Sequence, residues 1–213
     1  MSALSSPAPA NSQNMRPSFT ADDIALDLVN ARYDALGAPY DWLASGDRFA
    51  AWVTAADSPA LTPLIGQSPQ DHPKAWNTAA RQTQKLRQAF LTLLETAKAG
   101  APDPDSLAQI NAVLAKTPLY RHLSLDPDTG GFGTGPDHTI ATPSDIAGFF
   151  ALHIADLLKT AQLDHIRLCQ GTGCPMWFHD QSKSRRRRWC SMSLCGNRAK
   201  VRKHRAQAQD QSK

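Results

Sequence analysis

No cysteine precedes position 169 in this 213-residue chain, and none follows position 195. No apolar run approaches the roughly 20 residues that a helix needs to cross a bilayer. The first 18 residues, MSALSSPAPANSQNMRPS, lack the charged start and apolar stretch of a secretory signal. They read as a disordered lead, and the chain reads as cytoplasmic, where thiols stay reduced. Glutamate is nearly missing, with Glu95 the sole example. A phosphate-cradling GxxxxGK[ST] loop, a GxSxG nucleophile elbow and an HExxH metal pair are all absent. GGFGTG (130–135) lies in a hairpin turn with no helix directly after it, so it reads as a turn. His153, on an apolar helix, reads as a core histidine. No acid–base pair assembles, and the expectation is a protein that is not an enzyme.

The charge that is present is unevenly placed. From His165 onward 12 Lys+Arg face 2 Asp, a net of +10, whereas residues 1–164 carry 11 Lys+Arg against 17 Asp+Glu, a net of −6. An acidic body with a basic tail suggests that the tail meets a polyanion, most often nucleic acid.

The four cysteines form two C-x4-C pairs, CQGTGC (Cys169, Cys174) and CSMSLC (Cys190, Cys195), with 15 residues between the pairs. Reduced thiols in two local pairs suit tetrahedral zinc, which takes soft ligands at about 2.3 Å; two disulfides or four unrelated thiols are the alternative. Gly171 and Gly173 let the first loop curl its amides toward the sulfurs. Between the pairs, Trp177 and Phe178 read as strand, HDQSKS as a turn and RRRRW as a returning strand, which predicts a hairpin. GNRAKVRKHRAQAQ then reads as helix. This order is the treble-clef arrangement, and in so small a module the metal supplies much of the folding energy. His179 and His204 are surplus to a shell of four cysteines. Asp180, Ser182 and Asn197 are expected to hold the hairpin against the helix.

RRWCSMSLCGNRAKVRKHRA resembles the CGNR zinc finger, named for the run that stands here as Cys195, Gly196, Asn197 and Arg198. That finger follows an ABATE domain in the proteins it resembles, and ADDIALDLVNARYDAL with YDWLASGDRFAAWV looks like the opening of one. The resemblance implies one structural zinc on Cys169, Cys174, Cys190 and Cys195. It also implies DNA binding by a stress-induced transcription regulator.

The basic residues support that reading independently. At 100° per residue Arg198, Arg202 and Arg205 fall within a sector of about 60°, with Lys200 and Lys203 on the far side and Leu194 and Val201 packing back on the finger. Arg185, Arg186, Arg187 and Arg188 alternate faces along a strand. Trp189 is expected to shield the metal. The partner expected is double-stranded DNA, with RNA left open. A single finger buries little surface, so a homodimer is also expected. The competing readings are a solvated basic face, a finger that docks an acidic protein, and a zinc-thiolate redox sensor.

The rest is mainly helical, giving an α+β fold: a lead (1–18), a helical body with one β-hairpin (19–163), the finger (164–207) and a flexible tail (208–213). A helix capped by Thr20 is predicted to run to Gly37, with Leu26, Val29, Tyr33 and Leu36 as its apolar stripe. Asp27, Asn30 and Arg32 on that helix either line a pocket for a small effector or form an ordinary solvated or interdomain face. The body is read as an effector domain, a dimerisation domain or a platform for the finger.

Overall fold

The computed structural model describes residues 15–64, 66–126, 129–137 and 140–210. Positions 1–14 of the expected lead and 211–213 of the expected tail lie outside the described residues. Met15 packs on the core, and the Arg16 carbonyl accepts from the Ala35 amide at 2.8 Å, so the ordered body starts before position 18.

Helix α1 (Ile24–Asn30) is much shorter than the sequence pattern predicts. Its cap is Asp23, whose carboxylate accepts from the Ala25 amide at 2.8 Å, rather than Thr20. Beyond Asn30 the Asp34 carboxylate accepts from the Leu36 and Ala38 amides at 2.9 and 2.7 Å. This local turn outcompetes helix, Gly37 takes φ +87° within it, and Leu36 ends 69 % exposed instead of on an apolar stripe.

Helix α2 (Gly46–Ala55) is capped by Ser45 and crosses α3 (Pro73–Lys98) so closely that a Cβ at Gly46 would lie 2.9 Å from Trp76 Cβ. Helix α3 buries Trp76, Ala79, Ala80, Thr83, Leu86, Phe90 and Leu94 along one face at helical spacing. It also buries Arg87, which forks onto Asp41 with two 2.8 Å bonds and ties the α1–α2 connection down. Helix α4 (Pro104–Leu114) starts on the Asp103 cap. The predicted hairpin follows as β1 (Tyr120–Leu125) and β2 (Phe132–Asp137), paired antiparallel with Leu125 opposite Phe132. A Thr142–Asp145 capping box then opens α5 (Ile146–Thr160). The core closes on Trp52, whose ring lies 5.2 Å from Phe19 and 5.7 Å from Phe150. No helix among the described residues is long and apolar enough to cross a membrane.

The finger departs from the predicted pairing. Strand β3 (Ile166–Leu168) pairs antiparallel with β4 (Trp177–His179), Ile166 opposite His179, so the hairpin encloses the first cysteine pair rather than lying between the pairs. Residues 185–188 form no strand. Arg185 takes φ +51°, and the fully buried Asp180 carboxylate gathers the Ser182 amide (3.1 Å) and the Arg187 amide (2.9 Å) into an irregular loop. A wide π-type turn (Met192–Gly196) carries Cys195 and leads into α6 (Asn197–Asp210), whose residues 201–208 are all exposed. Val201, expected to pack back, is 49 % exposed.

Strand β4 runs beside α1 and joins finger to body. Asn30 donates Nδ2–H to the Trp177 carbonyl and accepts the Trp177 amide on Oδ1, both at 2.8 Å. The His179 amide donates to the Ala21 carbonyl at 2.8 Å, and Ile166 is fully buried in the body's core.

Candidate metal centre and basic surface

The hairpin and the π-type turn bring the four sulfurs together, all within 4.8 Å of one another. Cys174 and Cys190 lie 3.8 Å apart and Cys190 and Cys195 3.7 Å. Four sulfurs at about 2.3 Å around a tetrahedral ion stand about 3.8 Å apart, so these spacings fit one zinc. Amide donors surround the cluster as thiolates require: the Gly171 and Cys190 amides point at Cys169 Sγ at 3.4 and 3.3 Å, and Arg198 Nη2 donates to Cys195 Sγ at 3.0 Å. A Cβ at Gly171 would stand 3.0 Å from Cys195 Sγ, so the close approach of that loop requires glycine.

Electrostatics point the same way. A hydrogen bond from Cys190 brings the Cys174 thiol down to about 5. The same pairing pushes Cys190 up, and burial pushes Cys195 up. Four thiolates this close repel one another, and a divalent cation would supply the compensating charge. Cys169, Cys174, Cys190 and Cys195 form the site of one structural zinc ion. His179 and His204 lie outside it. Trp189 packs against the cysteine cluster, as a shield should.

The chain has two matches to family models. Residues 22–161 match the ABATE model, described as "Putative stress-induced transcription regulator", and residues 165–208 match the CGNR zinc finger. The chain belongs to the ABATE family. A comparison with curated proteins returned no match.

Not all the arginines of the CGNR finger are free to meet a partner. Arg187, expected on a nucleic-acid face, is spent inside the molecule. Its guanidinium pairs with the Asp22 carboxylate, donates to the carbonyls of Thr20 (3.2 Å), Trp189 (2.8 Å) and Cys190, and lies 4.7 Å over the Phe178 ring. Arg185 donates to the Asp180 carbonyl, while Arg188 binds Gln170 Oε1 at 2.7 Å and covers Trp189. Arg198 is held on Cys195 and Arg202 on the Thr172 hydroxyl. Arg186, Lys200, Lys203 and Arg205 are exposed, and their charged groups have no protein partner among the described residues. Asp22, Gln170 and Thr172 are partners that sequence reading missed. Asp22 stands 165 residues from Arg187 and carries no local signal of the pairing.

The three polar residues of the ABATE body, read as either an effector pocket or a solvated or interdomain face, take different places. Asp27 is buried and accepts from the Ala21 amide at 3.1 Å, and burial pushes its carboxyl up to about 7. Asn30 is consumed by Trp177. Arg32 borders a cleft beside Val29, Leu91 and Trp177.

Proposed function

We propose that this ABATE-family protein is a DNA-binding transcription regulator whose zinc organises a cationic surface on the CGNR finger, and that it acts by binding rather than catalysis. One observation carries the reading: from residue 181 to 209 there are ten Lys+Arg and no Asp or Glu. Among the described residues only Arg187 of the ten is ion-paired with a carboxylate. A helix that is polar all round gains nothing from packing, so α6 suits a polyanion better than a protein core. Arg186, Lys200, Lys203 and Arg205 are the contacts assigned to phosphate, and the ABATE body fixes the orientation in which they are presented.

The test is retention of the zinc-loaded chain on duplex DNA across a salt series. Four phosphate contacts give a slope of about −3 to −4 in log K against log salt. Chelation is expected to abolish retention, and Lys203→Ala or Arg205→Ala to lower the slope by about one each. Salt-insensitive or absent retention with zinc still bound rejects the proposal.

A further inference from the structure

At the seam between body and finger the surface folds into a cleft of about 220 Å3. Val29 and Leu91 line it from the body and Pro175 and Trp177 from the finger, so its walls are largely apolar. Two opposite charges enter from the body: Arg32, just past the end of α1, and Glu95, one helical turn beyond Leu91 on α3. Glu95 is the only glutamate in the chain. The two do not pair with each other. Arg32 is half-buried, yet among the described residues its guanidinium has no hydrogen bond, ion pair or ring contact; Glu95 stands exposed at the mouth of the cleft, its carboxylate likewise unpaired. Elsewhere this protein satisfies its inward-facing cations thoroughly, as Arg87 on Asp41 and Arg187 on Asp22 show.

A half-buried guanidinium with free donors calls for a planar anion, and an exposed carboxylate at the mouth of the same cleft favours a ligand that also carries a cation. A simple carboxylate ligand would set its own charge near Glu95, and a simple amine would set its charge near Arg32. One small molecule carrying both groups at opposite ends of a short backbone satisfies the two at once. The volume limits the rest: at roughly 30 Å3 per water-sized unit, the cleft of about 220 Å3 takes about seven such units, so only a small molecule fits, with any longer side chain reaching its mouth. A larger hollow of about 410 Å3 between α3, α4 and α5 carries no such pair, since its carboxylate, Asp145, is already engaged by Thr142 and no half-buried cation lines it.

We infer that this cleft binds a free α-amino acid with an apolar or aromatic side chain, its carboxylate on Arg32, its ammonium on Glu95 and its side chain against Pro175 and Trp177. Because the walls come from both domains, the bound molecule bridges the ABATE body and the CGNR finger. Pro175 directly follows the zinc ligand Cys174, so the ligand touches the frame of the metal centre.

The experiment is isothermal titration calorimetry of the zinc-loaded full-length chain with L-leucine and L-phenylalanine, without nucleic acid, so its outcome is independent of whether the finger binds DNA. One-to-one binding of at least one of the two is expected. For phenylalanine, removing the amino group (3-phenylpropanoate) or the carboxylate (phenethylamine) is expected to weaken binding at least tenfold. For whichever amino acid binds, Arg32→Met is expected to weaken it at least tenfold. Glu95→Gln is expected to weaken the same amino acid while leaving binding of 3-phenylpropanoate unchanged or tighter. Neither variant is expected to move the melting temperature, because neither side chain has a protein partner to lose. The absence of binding heat with both amino acids at millimolar concentration overturns the inference, as does binding that survives both substitutions.

Discussion

Arg187 and Arg186 are neighbours of the same type, and the structure gives them opposite tasks. Replacing Arg187 removes the Asp22 ion pair, three carbonyl contacts and the stacking on Phe178, so Arg187→Ala is expected to cost about 2 kcal/mol in a denaturant melt. Arg187→Lys should recover less than half of that, because one ammonium cannot fork to several acceptors. Arg186→Ala is expected to leave stability within about 0.5 kcal/mol while weakening DNA retention. Asp27 gives a second residue-level expectation. Burial holds its carboxyl at about 7 in the folded chain, above the usual value near 3.9. Between those two values the folded state keeps a proton that the unfolded state has lost, so stability falls as pH rises through that window and levels off above it. Asp27→Asn is expected to flatten this decline and to be the more stable variant at pH 8, by at most about 4 kcal/mol, read from melts at pH 5 and pH 8.

Among the elements, the two loops that carry cysteines differ in how tightly they tolerate change. Gly171→Ala forces a Cβ against Cys195 Sγ and is expected to lower zinc affinity at least tenfold in a chelator competition. Gly173 faces open space but takes φ +69°, so Gly173→Ala should cost about 1 kcal/mol of backbone strain with affinity little changed. What the sequence revealed of these elements follows the range of the forces. The ligand set was legible because four cysteines at fixed spacing encode it locally. Long helices were legible where apolar positions repeat along a buried face, as in α3 and α5. The hairpin of the finger was misread because RRRRW alternates no better than IRL, and the deciding contacts, Asn30 to Trp177 and Asp180 to the Arg187 amide, are made by side chains outside the strands. The first helix was overextended because an apolar stripe says nothing of Asp34, whose carboxylate ends the helical path. For Asp27, Asn30 and Arg32 the sequence left two readings open for the same reason: polar spacing on a helix does not show which neighbour will claim each group.

At the scale of the whole molecule, body and finger share a core. Ile166 belongs to the finger by sequence and to the body by burial, so loss of zinc is expected to be felt on both sides. Adding chelator should lower the melting temperature of the entire chain and change the tryptophan fluorescence, to which Trp177 and Trp189 contribute, whereas an independent finger would leave the body's transition untouched. The Asn30–Trp177 pair has a further consequence for how such chains can be rearranged. It is a side chain mimicking a strand edge, and it works only if the residue on α1 is an asparagine set opposite a finger backbone in the right register. A CGNR finger grafted onto a foreign body would arrive with Trp177, Arg187 and Ile166 each missing its counterpart. Exchange of fingers between relatives, in evolution or at the bench, should therefore succeed only when the short segment from Thr20 to Asn30 travels with the donor.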